Sequence, residues 1–292
     1  MTFGQLEIFA TLAETRGFTA AALRLGISQP AVSHALKSLE DELGIKLFDR
    51  SAAPIALTPL GARLLSRSRE ILGLANAMQQ EAAEYRGVQT GSLRIGSFGA
   101  TSSLPILPRL LYAFHQTYRG IEVLVEEAAD EDVIAWIAQR RVDLGFVVLP
   151  DDRFRTWPLA KDQFVALVSA DSPLADQDDV ALADLCAAPF IMPESGSAGI
   201  TRKLFTQSRL SPRVRYRTSQ VLSTLTMVAR GQGVSVVAEM ALPPEVPSQG
   251  WVKKPLRPVR TRSIGLAMHQ NAEPSPAAMA FVDLAARSKP SF

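Results

Sequence analysis

Between residues 17 and 43 the chain stops and starts its helices so tightly that few folds can accommodate it. Thr19 is placed to cap a short helix through Ala20, Ala21, Ala22, Leu23 and Leu25. Gly26 ends that helix by supplying the left-handed backbone of a tight turn. Ile27 is expected to plug the core beneath the turn, and Ser28 to cap the next helix. Pro30 sits in the first turn of that helix, where a missing N–H costs little. Val32, Leu36, Leu39 and Leu43 then recur at spacings of four, three and four, the buried stripe of a helix. An earlier helix, with Leu6, Phe9, Leu12 and Ala13 on its apolar face, ends near Gly17. Two short helices, a glycine turn and a third helix with a polar start describe a helix-turn-helix.

The polar face of the third helix carries Gln29, Ser33, His34 and Lys37. In a helix-turn-helix the first residues of this helix reach base edges in the major groove. Gln suits a bidentate contact with adenine, and a Ser hydroxyl is permissive. The same face would equally serve as the solvated surface of any three-helix unit. The next segment favours the first reading: 43–50 leads into 57–61 as two short extended pieces around a loop at 51–56, a wing. Thr58 is placed to cap the next helix, with Pro59 at its first position. The formal charge is 31 − 29 = +2, so attraction to nucleic acid has to come from local placement of cations.

The run from Phe18 to Ser33, followed by Leu39-Glu40, Leu43-Gly44, Leu47-Phe48-Asp49-Arg50 and Leu57-Thr58, closely resembles the LysR-type transcriptional regulators. The likeness continues through Leu93-Arg94-Ile95-Gly96, Leu107-Pro108, 142–145, 172–175 and 228–234. It implies a winged helix-turn-helix domain over 1–58 that binds double-stranded DNA through Ser28, Gln29, Pro30, Ser33, His34 and Lys37. Lys46, Arg50 and Lys37 are candidate phosphate contacts, which position the protein and do not specify sequence. Two departures stand out. The wing lacks the arginine that relatives commonly place there, and His34 stands where the family often has Arg or Lys. Both reduce phosphate-binding charge.

From Pro59 to about Arg86 the pattern is that of one helix, about 40 Å long at 1.5 Å per residue. Leu64, Ile71, Met78 and Tyr85 recur every seven residues, as in the seam of a helix pair. Packing against the chain's own α/β region is the alternative. The resemblance favours a seam between subunits, giving a linker and dimerisation helix over 59–88 and a hinge at 87–91. It also implies homodimers that assemble further into homotetramers, with RNA polymerase as a further candidate partner.

From 92 onward, short apolar runs at 92–98, 121–126 and 142–149 alternate with helical patterns at 104–118 and 130–140. This is the signature of a mostly parallel sheet. A second set follows, with strands near 163–169, 189–192, 213–218 and 234–238 and a helix at about 220–230. A final strand at 263–268 and a helix at 276–287 close the chain. The fold class is therefore multidomain α/β. The resemblance implies a two-lobed effector domain over 92–292, like periplasmic binding proteins, with the chain crossing near 161–164 and returning near 261–264. Lobe I would comprise 92–161 and 265–292, and lobe II 164–262.

A small effector would bind between the lobes, at the carboxyl ends of the strands. Thr101 falls at the family's usual ligand-contacting position, beside Ser102 and Ser103. These hydroxyls suit an anion, and they would equally cap a helix beginning near Leu104. On the facing lobe the loop 193–199, with Ser195 and Ser197 ahead of Arg202 and Lys203, is a second candidate anion site. Asp130 is placed to line the cleft or to cap a helix, and Phe146 belongs to the core.

Other classes find little support. One cysteine, Cys186, and three histidines exclude a disulfide framework and argue against a zinc site. The single cysteine also rules out the paired-cysteine peroxide switch of one branch of the family. No apolar run approaches the roughly 20 residues of a membrane span. The start of the chain lacks a signal-peptide pattern, so the expectation is a soluble, cytoplasmic protein. No nucleophile elbow, phosphate loop, dinucleotide fingerprint or metal spacing supports an enzyme, and no cofactor or metal is expected.

Overall fold

The computed structural model describes residues 1–49, 54–85, 90–194, 198–243 and 249–288. Helices α1 (Phe3–Thr15), α2 (Phe18–Leu25) and α3 (Gln29–Leu43) form the first domain. Thr2 and Gln5 start α1 with a reciprocal capping box. Helix α2 begins earlier than its threonine suggests. The Gly17 carbonyl already accepts the Ala21 N–H at 2.9 Å, so Gly17 is the N-cap and Thr19 lies inside the first turn. Gly26 adopts φ 66°, and the Ile27 N–H reaches back to the Ala22 carbonyl at 3.1 Å. That closure turns Ile27 outward, 40% exposed, instead of into the core. Leu43 is likewise 40% exposed, because Leu47 and Phe48 fill the core where α3 ends. Val32, Leu36 and Leu39 are fully buried against Phe9, Leu12 and Ala21.

Strands β1 (Phe48–Asp49) and β2 (Ala56–Leu57) pair antiparallel as the base of the wing. Helix α4 (Pro59–Tyr85) leaves it. The Thr58 hydroxyl accepts the Gly61 N–H at 2.9 Å and donates to the Lys46 carbonyl at 2.9 Å, locking the helix start to the wing. Gly61 is the contact point, since a Cβ there would lie 2.1 Å from the Leu47 carbonyl oxygen. We predict that Gly61→Ala lowers stability by about 1–3 kcal/mol, because the clashing atom is backbone. A thermal melt indistinguishable from wild type would show that the helix start slides freely on the wing.

Helix α4 has two unlike faces. One face carries Ile71, Leu74, Met78 and Tyr85, all exposed. The other packs on the chain's own effector domain. There the buried Gln80 donates to the Ser92 carbonyl at 2.9 Å and accepts the Ala277 N–H at 3.1 Å. Leu64 departs from the expected seam: it is half-buried on the winged-helix core, since the first turns of α4 complete that core before the helix emerges. Arg69 ties three parts together. Its guanidinium meets Glu14 of α1 at 3.2 Å and, at longer range, the carbonyl and side-chain oxygens of Gln139 in the effector domain. Glu14 also takes Arg24 of α2 at 3.0 Å, and Arg140 meets Glu70 at 3.1 Å.

The effector domain continues with β3 (Thr90–Phe98), α5 (Gly99–Ser103), α6 (Leu107–Thr117), β4 (Gly120–Ala128), α7 (Asp130–Ala138), β5 (Leu144–Leu149) and β6 (Phe154–Ser169). Next come β7 (Val180–Ala181), α8 (Leu182–Cys186), β8 (Pro189–Pro193), α9 (Ala198–Gln207), β9 (Arg213–Thr218) and α10 (Val221–Ala229). Strand β10 (Ser235–Ala238), β11 (Trp251–His269) and α11 (Pro276–Arg287) complete it. Of the expected helix over 104–118, residues Leu107–Thr117 form α6, with Pro108 in its first turn, and 104–106 are a turn between it and α5.

The sheet is mixed, not mostly parallel. Its order is β10-β6-β11-β5-β3-β4, with β3 parallel to both β4 and β5 but β11 antiparallel to β5 and β6. The reason lies in β6 and β11, which are far longer than the alternation alone suggested. They run side by side through both lobes, and their register breaks between Pro255 and Arg260. On one side of the break Ile95, Phe114, Phe146, Ile264 and Phe281 form one core. On the other, Phe164, Ala166 and Val168 face one buried layer while Val165 and Leu167 face another. Covering β6 on both faces explains its unbroken apolar run. Among the described residues no helix is long and apolar enough to cross a membrane.

Candidate DNA-reading face and effector cleft

Ser28 begins α3 with extended backbone, and its hydroxyl accepts the Ala31 N–H at 3.3 Å. The first turn is thereby fixed with Gln29 and Pro30 exposed. Gln29, Ser33 and Lys37 succeed one another at four-residue steps, so they share one face; Ser33 is half-buried, and His34 and Lys37 are exposed. Val32, Leu36 and Leu39 anchor the opposite face, so the polar face is held on a rigid element.

Glu40 sits behind this face, and sequence reasoning gave it no role. Its carboxylate is 1% exposed and accepts the Leu47 N–H at 2.8 Å, which sets where the wing begins. It also holds the Lys46 ammonium at 3.2 Å. Lys46 is therefore already partnered, and a phosphate would share it with Glu40. Arg50 and the wing tip at 51–53 lie outside the described residues.

In the effector domain the hydroxyl cluster is placed differently from expectation. Thr101, Ser102 and Ser103 lie inside α5 instead of preceding a helix. Ser102 is fully buried. Its hydroxyl accepts the Phe98 N–H at 3.0 Å and bonds the Ser97 hydroxyl at 2.7 Å, so it closes the strand-to-helix turn. Ser103 bonds the same Ser97 hydroxyl at 2.8 Å and is half-buried. Thr101, 2% exposed, accepts a hydrogen bond at 2.8 Å from Arg262.

Arg262 is the centre of this region, and sequence reasoning missed it. It stands on β11 where the chain changes lobes, register-paired with Asp162 of β6. Its Nε–H donates to Asp162 at 2.8 Å, and its guanidinium lies over the rings of Phe98 and Phe164. Asp162 also accepts the Met240 N–H at 3.1 Å and the Gln163 N–H at 2.8 Å. Burial lowers the Arg262 pKa from its ordinary value, and the Asp162 charge opposes that shift. Lys161, Gln163, Arg260, Thr261 and Ser263 around them are polar too, so the local sequence did not single out this pair, 100 residues apart.

Asp130 is the first residue of α7, not its cap, which is Ala129. Burial pushes its carboxyl pKa up, against the N–H of Glu131 and the nearby Arg262. Phe146 is fully buried in the lobe I core. Ser195 and Ser197 lie outside the described residues, and Arg202 behind them meets Glu194 at 3.4 Å. Cys186 is half-buried against the Leu182 carbonyl, and burial pushes its thiol up.

This arrangement, a helix-turn-helix with a wing joined by a long helix to a two-lobed α/β domain, has known relatives. The family described as "Bacterial regulatory helix-turn-helix protein, lysR family" matches residues 3–69, and the "LysR substrate binding domain" matches residues 86–289. The chain belongs to the LysR family of DNA-binding transcriptional regulators. It is 30% identical over 286 residues to the uncharacterized HTH-type transcriptional regulator YvbU of Bacillus subtilis, covering 98% of each chain. Among solved structures, a full-length OxyR variant from Pseudomonas aeruginosa superposes with a TM-score of 0.75 at 24% identity, covering 99% of this chain and 95% of that one. Full-length CbnR complexed with its target DNA gives 0.64 at 24%, covering 99% and 100%. Both structures share the fold.

Proposed function

We propose that α3 reads operator DNA through Gln29 and Ser33, and that the cleft between the lobes takes a small anionic effector whose counter-charge is Arg262. The observation that carries the DNA reading is the exposed Gln29–Lys37 face on a helix locked by the Ser28 cap. Support for the effector reading comes from a buried arginine that touches both crossover strands and Thr101. Serving as the pivot between lobes, it lets a bound anion favour one lobe arrangement over another. Phosphates would be met by Lys37, with Lys46 and Arg50 alongside, and the cleft completed by Ser103, Asp130, Ser195 and Ser197.

The protein works in the cytoplasm as a homo-oligomer paired along Ile71, Met78 and Tyr85, without a prosthetic group and without catalysis, and RNA polymerase is its downstream partner. Exposure of that helix face supports the pairing. The test is selection of genomic fragments by the purified full chain at physiological salt, then footprinting. A few sites with an interrupted palindrome are expected, and Gln29→Ala or Ser33→Ala should relax base preference by about 1–3 kcal/mol for each bidentate base pairing removed. Thr101→Val should leave operator affinity unchanged while blunting the ligand response. Fragments recovered indiscriminately, with or without a metabolite extract, would end the proposal.

A further inference from the structure

A cavity of about 470 Å³ opens in lobe II where β6 ends, β8 begins and α10 finishes. Small-molecule sites have volumes of about 300–1,000 Å³, so the space is ample for a metabolite. Its lining includes Ser169, Asp171, Ser172, Arg230, Gly231 and Gly233. This is not the cleft. Asp162 at the crossing and Ser169 stand on the same strand, about 23 Å apart at about 3.3 Å per residue.

The lining carries both signs of charge. Asp171 and Arg230 are exposed, and among the described residues neither has an ion-pair partner. Two opposite charges that border one cavity without meeting leave room for a ligand that bridges them. Two hydroxyls add to this. Ser169, 8% exposed, accepts the Asp171 N–H at 3.4 Å, and Ser172 accepts the Leu174 N–H at 3.3 Å. Among the described residues no acceptor takes either hydroxyl proton, so both can donate to a ligand oxygen. Helix α10 ends at the cavity, with Arg230 as its C-cap and Gly231 at φ 67°. The partial negative charge of a helix C-terminus favours a cation. Gly233 holds the wall in place: a Cβ there would lie 2.5 Å from the Pro189 carbonyl oxygen, so the loop rests directly on the start of β8.

We propose that this cavity binds a free α-amino acid. Arg230 and the serine hydroxyls take its carboxylate, and Asp171 with the end of α10 takes its ammonium. A simple anion would meet the unmatched Asp171, and a simple cation the unmatched Arg230. Only a ligand carrying both charges is complementary to both side chains. The site lies wholly in lobe II, so it stands whether or not the cleft takes an anion and α3 reads DNA.

Isothermal titration calorimetry of the full chain with each of the standard L-α-amino acids tests it. Saturable binding of at least one is expected. Its decarboxylated amine and its deaminated acid should each bind at least about tenfold more weakly, because each loses one charge-assisted contact. Asp171→Asn and Arg230→Gln should weaken the amino acid by a similar factor without moving the thermal midpoint of the unliganded chain, since both side chains are exposed. Thr101→Val, in the cleft, should leave this binding unchanged. The absence of saturable binding by any amino acid overturns the proposal. So does equal affinity for the amine or the acid alone, or binding that survives both cavity substitutions. Loss in Thr101→Val with Arg230→Gln unaffected also overturns it, because the ligand would then sit in the cleft.

Discussion

Asp162→Ala is expected to lower the stability of the effector domain by about 3–5 kcal/mol, the range for breaking one side of a buried ion pair. The Arg262 and Asp162 side chains are 3% and 0% exposed. Removing the carboxylate leaves a cation in a site lined by Phe98 and Phe164, and takes the acceptor from the N–H groups of Gln163 and Met240. Denaturant unfolding of the full chain, followed through the effector-domain transition, measures the loss. Asp162→Leu combined with Arg262→Met should recover much of it, because an apolar pair removes both desolvation penalties. Acetate at high concentration should partly restore the single variant by supplying the missing charge, as any ligand that binds only the folded state stabilises it. A loss below about 1 kcal/mol would mean that water replaces Asp162, and the pivot would not be an electrostatic one.

The second large effect is expected at the junction of the domains. Glu14→Ala should cost about 3 kcal/mol, because Arg69 is left buried without a counter-charge. The two side chains are 8% and 5% exposed, and among the described residues Arg69 Nε has no hydrogen-bond partner even with Glu14 in place. Burial lowers the Arg69 pKa, with Glu14 opposing the shift. Since Arg69 also reaches Gln139, the variant should loosen α1 and α4 against lobe I, seen as faster hydrogen exchange in both helices. A double-mutant cycle of Glu14→Ala with Arg69→Met should return a coupling energy of about 1–3 kcal/mol. Strict additivity would show that the two side chains do not act as a pair.

Local signals were legible where a feature depends on a few neighbouring residues. Gly26, Ser28, Pro30 and Thr58 each announce a helix end because capping is decided within one turn of the chain, and all four act as their residue types require. Thr19 misled for the complementary reason. Several residues in a row can accept the first helical bonds, and Gly17 reached them first. Ile27 was turned outward by the closure after α2, and Leu43 continued an apolar pattern past the point where Leu47 and Phe48 take over the core.

The candidate sites divide the same way. The α3 face was legible since helical spacing alone puts Gln29, Ser33 and Lys37 together. The cleft was only half legible. Thr101 could be singled out by its match to the family's ligand-contacting position, but not its bond to Arg262, 161 residues away. Ser102 was drawn toward a ligand by its type, whereas burial turned its hydroxyl to the backbone of Phe98.

By itself the sequence determined the family, the helix-turn-helix with its wing, the long helix and the order of alternating strands and helices. These follow from periodicity and caps, interactions whose partners lie within a few residues. Only the tertiary structure decided that β6 and β11 are shared by both lobes, that α4 divides its faces between the core and solvent, and that Arg262, Asp162 and Thr101 meet at the crossing. Those depend on burial, and burial is a property of where distant segments come together.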